Sequence, residues 1–205
     1  LYFTCFKGNE ELGIPRDTEA AQLWQKLCAD KGIEAGIGEN PEKNGIQTGE
    51  KIFYYSEKKN WWSRSGVPQN MPVGEPGGPD TEMFWDFGIE LGLHENSEWK
   101  NEPCHVNCDC GRFMEIGNNV FMEYQKTDKG FEKLKQQNVD FGGGLERIAA
   151  ALNNDPDVFK IDLFDDVRTK LEEVSGKKYG HNTEITYAFR VILDHLRAAT
   201  FLVAD

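Results

Sequence analysis

The chain has 205 residues and a formal net charge of −12, with 39% hydrophobic and 12% aromatic residues. That is enough apolar material for a buried core, which excludes a disordered polyelectrolyte. The acidic balance excludes a nonspecific coat on DNA or RNA and leaves only a local basic patch for one defined RNA, while no apolar run approaches the roughly 20 residues of a membrane helix.

In chain order, LYFTCF reads as a short buried strand. Residues Asp17 to Lys31 read as a helix. Asp17 or Thr18 can cap it, Glu19 falls in its first turn, and Gly32 ends it. Ala21, Leu23, Trp24, Leu27 and Cys28 give it an apolar stripe. GIGENPEKNGIQTG reads as a loop and KIFYYS as a strand. Four of the eight prolines follow KNWW, which predicts no regular structure over 66–79, though the flanking aromatics predict order. TEMFWDFG reads as a strand and residues 90–102 as a polar loop. Arg112 to Gln125 alternates as a long strand, and TDKG as a turn. Helices are expected over Leu145–Leu152, over Phe159–Ser175 and from about Thr183 onward. Strands followed by helices predict an α+β fold.

The stretch NVDFGGGLERIAA, residues 138–150, carries chemistry. Its glycines allow close backbone approach, and a helix begins just after them. Asp140 can pair with an ammonium group, and Arg147 can reach a phosphate with two parallel hydrogen bonds. The spacing fits neither a P-loop nor the dinucleotide fingerprint. A plain strand-to-helix turn with solvated Glu146 and Arg147 explains the same residues.

Several stretches in one order resemble the alanyl-tRNA synthetases, of class II. VDFGGGLERIAA resembles their motif 3. NWW with GGPDTEMFWDFG resembles their Asn-aromatic-Trp segment and Gly-Pro-Cys-Ser/Thr-Glu strand, and DCGRFMEIGNNVFMEY resembles a further strand. IDLF and FRVILDHLRAATFLVAD resemble the start of their helical tRNA-recognition region. The resemblance covers nearly the whole chain. It implies a class II synthetase-like antiparallel sheet flanked by helices over 1–155, incomplete, and the start of an α-helical domain over 156–205.

The implied activity is alanine–tRNA ligation: alanine and ATP form an adenylate, and the alanyl group passes to tRNA(Ala). By the same resemblance Asp140 holds the alanine ammonium, Gly142 and Gly144 leave room for substrate, and Asn118 orients it. Val120 closes the small pocket, Trp62 lines it, Arg147 contacts the ATP phosphates, and Glu115 helps hold Mg²⁺. On residue pattern alone Val120 and Trp62 would be core and Glu115 a solvated strand residue. The chain departs from the family at Gly117, where Trp is common, and at Asp80, where Cys is usual. Nothing matches motifs 1 and 2. The chain lacks an initiating Met and ends inside an apolar pattern, so a piece of a longer protein is expected, inactive alone in pyrophosphate exchange. The alternative is a non-catalytic synthetase-like chain that binds ATP, alanine or a partner.

CHVNCDC offers Cys104, His105, Cys108 and Cys110 as zinc ligands. Their spacing matches no standard finger, and packed free thiols are the competing reading; zinc is not expected here from the resemblance. With five cysteines and no secretory signal, a cytoplasmic location is expected. On the last helix Ile185, Phe189, Ile192, Leu196, Ala199 and Val203 form an apolar stripe. Arg190, Asp194 and Arg197 form either an ion-pair ladder or, by resemblance, a tRNA phosphate contact through the two arginines.

Overall fold

A computed structural model describes residues 1–204. The chain divides into two compact units, one ending at Ile148 and the next beginning at Ala149. The first holds strands β1 (Tyr2–Phe6), β2 (Gly36–Gly38), β3 (Glu50–Tyr55), β4 (Trp61–Ser63), β5 (Pro76–Asp86), β6 (Phe113–Thr127) and β7 (Gly130–Gly143). It also holds helix α1 (Thr18–Ala29) and the single turn α2 (Pro41–Asn44). Helix α3 (Leu145–Leu152) carries the chain into the second unit, which contains α4 (Asp165–Ser175) and α5 (Thr183–Ala204).

The strands form one sheet in the order β2-β3-β1-β5-β6-β7, with β4 paired to β5. From β1 through β7 the pairing is antiparallel. The β2-β3-β1 edge runs parallel, so the sheet is mixed within the expected α+β class.

Helix α1 starts where Asp17 accepts from the Ala20 amide, and its inner side covers one sheet face. Ala20, Ala21 and Cys28 meet Phe3, Cys5, Ile52 and Tyr54 there, and Trp24 stacks on Phe3. The opposite face carries two apolar clusters. One gathers Phe53, Tyr55, Phe84, Val106 and Phe113. The other gathers Phe6, Ile14, Trp61, Met71 and Tyr124. Burial of such side chains stabilises by roughly 1.5–3 kcal/mol each, an upper estimate for the unfolded reference.

Four expectations change. The proline-rich stretch enters β5 at Pro76, because a proline at a strand's first position gives up no ladder donor. Gly78 is then required: a Cβ there would lie 1.7 Å from the Phe121 carbonyl oxygen. GIGENPEKNGIQTG supplies β2 and α2 rather than loop alone. The helix expected from Phe159 starts at Asp165; extended Ile161 separates two short 3-10 turns, and Asp157 caps the first by accepting from the Phe159 amide. Finally, residues 130–143 form a strand, so the glycine stretch is not a loop.

Candidate functional site

Strand register assembles a polar patch. Asp80 pairs with Val120 and Glu82 with Asn118 between β5 and β6; Val120 pairs with Asp140 and Asn118 with Gly142 between β6 and β7. Directly paired residues share a sheet face, as do residues two apart on one strand. Asp80, Glu82, Asn118, Val120 and Asp140 therefore share one face, while Thr81 turns the other way to accept from Trp24 of α1 at 2.7 Å. Trp62 pairs with Gly78 and is 43% exposed, whereas neighbouring Trp61 is buried.

The patch is rich in acceptors. Asp80 is 3% exposed and accepts from Asn60 at 3.1 Å and from Asn118 at 3.1 Å. Glu82 accepts from the Thr4 hydroxyl at 2.9 Å, and Asn60 also donates to Thr4 at 2.7 Å. With both amide donors committed, the Asn60 and Asn118 side-chain oxygens are buried with no donor. Burial pushes the Asp80 carboxyl up to about 6. Burial, then the charge of Asp80, pushes Glu82 up to about 8. A buried carboxyl group, a half-buried one and two buried, unpaired amide oxygens make this part of the face rich in hydrogen-bond acceptors.

Asp140 lies exposed on β7, across from buried Val120. Gly142 has open space where a Cβ would stand. None of Gly142, Gly143 and Gly144 has positive φ, so backbone freedom is not their use here. At Gly144 a Cβ would come within 3.1 Å of the Arg147 side chain. Arg147 donates to the Glu115 carboxylate at 2.9 Å and to the Glu115 carbonyl at 3.2 Å, which ties the α3 start to β6. At Gly117 a Cβ would meet Met83 Cε at 2.7 Å and the Phe141 ring at 3.0 Å. An aromatic side chain thus covers position 117 from the neighbouring strand.

The cysteine cluster closes differently from its sequence spacing. Cys104, Cys108 and Cys110 come together, but the imidazole among them is that of His94. His105 instead sets its Nδ1 2.9 Å from the Tyr55 hydroxyl. Adjacency in CHVNCDC pointed to His105, whereas the loop brings His94 back from ten residues before Cys104. In the second unit Arg190 pairs with Asp157 at 3.0 Å and donates to the Tyr179 hydroxyl at 2.9 Å. Asp194 pairs with His195, so the expected Arg190–Asp194 ladder does not form as read. Arg197 lies 6.0 Å from the Phe201 ring centroid, toward the end of α5.

Sequence reasoning missed Asn60, Thr4 and Glu82 as site residues and treated Asp80 only as a departure. The signal was present in PDTEMFW: two acids one strand period apart inside an apolar strand.

The sequence matches the family described as tRNA synthetases class II (A) over residues 1–205. It is 37% identical over 208 residues to an alanine–tRNA ligase of Borrelia hermsii and 36% identical over 208 residues to one of Treponema denticola. Each alignment covers 100% of this chain and 29% of the relative. An alanine–tRNA ligase of Caldicellulosiruptor saccharolyticus is 32% identical over 191 residues, covering 92% of this chain and 18% of the relative. The chain spans about 29% of the length of the first of these curated relatives.

Proposed function

Because the chain belongs to the class II (A) tRNA synthetases, we propose that it supplies one wall of the alanine- and ATP-binding site of an alanine–tRNA ligase. The carrying observation is the unbroken register that sets Asp80, Glu82, Asn118, Val120 and Asp140 on one face. Alanine presents an ammonium group, a carboxylate and one methyl group. The exposed Asp140 carboxylate on this face complements the ammonium.

Val120 and the open space at Gly142 suit a methyl-sized side chain, and exposed Trp62 is assigned to line the site by the family resemblance. Asn118, on the same face, orients the substrate by hydrogen bonding. Alanine's carboxylate attacks the α-phosphorus of ATP and pyrophosphate leaves; a terminal hydroxyl of tRNA(Ala) then attacks the alanyl carbonyl, and AMP leaves as the anhydride breaks. Arg147, prepositioned by Glu115, offsets charge on the leaving phosphates. Mg²⁺ arrives as part of the ATP substrate. Glu115 already accepts from Arg147, and no group of three carboxylates converges on it among the described residues, so no step here runs through a protein-held Mg²⁺.

Residues 1–155 are accordingly the aminoacylation portion and residues 156–205 open the helical tRNA-recognition domain, whereas the compact units divide after Ile148. Arg190 and Arg197 on α5 are the candidates for tRNA phosphate contact, Arg190 also holding Asp157 and Tyr179. Membership of the tRNA synthetases supports a cytoplasmic location, and, separately, no described helix is long and apolar enough to cross a membrane. The test is alanine-dependent ATP–pyrophosphate exchange by the complete polypeptide containing this chain. Exchange supports the reading, and loss of alanine dependence would remove it.

A further inference from the structure

We propose that His94, Cys104, Cys108 and Cys110 form a structural zinc site that fastens the β5–β6 connection. The candidate ligand atoms of these four residues all lie within 4.8 Å of one another. The Cys104 and Cys110 sulfurs are 4.0 Å apart, and the Cys108 sulfur is 3.6 Å from His94 Nδ1. Zinc–sulfur bonds of about 2.3 Å and zinc–nitrogen bonds of about 2.0–2.1 Å require ligand separations of roughly 3.5–3.8 Å around a tetrahedron. The four atoms thus stand close to that spacing before any ion draws them in.

The surroundings fit as well. His94 sets its other ring nitrogen, Nε2, 3.1 Å from the Glu102 carbonyl oxygen. A carbonyl can only accept, so Nε2 carries the proton and the Nδ1 lone pair faces the sulfurs. Three thiolates and a neutral imidazole on Zn²⁺ leave one net negative charge. Arg112 answers it, with Nη1 4.0 Å from the Cys104 sulfur, while its Nε and Nη2 clamp Asp86 at 2.7 and 2.8 Å. His94, Cys108 and Cys110 are buried, and Cys104 is partly buried. His105 is not among the residues whose ligand atoms converge; its Nδ1 lies 2.9 Å from the Tyr55 hydroxyl.

The need is structural. Between Asp86 and Phe113 there is no helix or strand, a long span for a loop without its own regular structure. Val106, between two of the cysteines, is 1% exposed and packs with Phe53, Tyr55, Phe84 and Phe113. Four protein ligands leave no open coordination position, so the ion holds the fold and takes no part in chemistry.

The test is metal analysis and X-ray absorption on the full chain, purified under reducing conditions and reconstituted with zinc. One zinc per chain with three sulfur ligands and one nitrogen is expected. His105→Gln should retain it. His94→Cys should retain it with four sulfurs, which keeps the test open if His94→Ala does not fold. Where His94→Ala folds, affinity should fall beyond the roughly 10–100-fold typical of outer-shell losses. A stoichiometry near zero, a Cys104–Cys110 disulfide in place of metal, or loss of the ion in His105→Gln but not in His94→Ala would overturn the proposal.

Discussion

Two regions beside the same sheet are built by opposite means. The polar patch takes its geometry from strand register: Asp80, Val120 and Asp140 stand in successive paired positions on β5, β6 and β7. The His94–cysteine cluster lies in a connection with no ladder to place it. The first is positioned before any ligand arrives, and its strain is electrostatic. The second is positioned by one buried valine, a few hydrogen bonds and, in our proposal, an ion. A ligand-free change should therefore alter the patch's charge but the cluster's shape.

The largest effect should come from the cluster. Stripping metal from the chain with a strong chelator, or replacing Cys108 with Ser, should lower the melting temperature by roughly 10 °C or more, since structural zinc contributes folding free energy directly. Differential scanning calorimetry before and after chelation checks it; an unchanged melting curve would place both regions on equal footing. Next, Gly117→Trp should destabilise by about 1–3 kcal/mol, because Met83 and Phe141 already fill that space. Adding Phe141→Ala should recover part of the loss, and additive effects in a double-mutant cycle would show that the two positions do not trade volume.

A third effect follows from pH. The ordinary values of 3.8 for Asp80 and 4.5 for Glu82 rise in the folded chain to about 6 and about 8. The folded chain thus holds protons that the unfolded chain has released, and stability falls as pH rises from about 4 to about 8. Asp80→Asn should flatten the lower part of that fall and raise stability at pH 8. Either asparagine can turn its orphaned oxygen to accept from the new amide. Urea denaturation at pH 5 and 8 measures this, and a slope identical to that of the parent would contradict it. Smallest should be Arg197→Gln, which should reduce tRNA affinity modestly and the salt slope by about one, measured by filter binding at several salt concentrations.

The sequence made much of this legible, for reasons that differ by region. Helix α1 announced itself through Asp17 and part of its apolar stripe, Ala21, Trp24 and Cys28 packing inward while Leu23 and Leu27 stay exposed, and β6, expected from Arg112, through alternation. The start of β7 was hidden: GFEKLKQQNV is mostly charged and polar because this edge strand is largely exposed, so no alternation between buried and exposed positions marks it. Asp140 and Asn118 enter the proposal through the two separate stretches that resemble the family. Asp80 and Glu82 gain their meaning only from register, which brings Asn60 and Thr4 from distant sequence to meet them. His94 was invisible for the same reason, since spacing within CHVNCDC favoured its neighbour His105.

The central claim is that the β5–β6–β7 face receives alanine through Asp140. Asp140→Asn in the complete polypeptide tests it most directly, by pyrophosphate exchange with alanine and ATP varied separately. A charged hydrogen bond of about 1.5–3 kcal/mol predicts a loss of roughly 10–150-fold in kcat/KM for alanine with the KM for ATP little changed. An unchanged kcat/KM for alanine, or an equal loss confined to ATP, would contradict it.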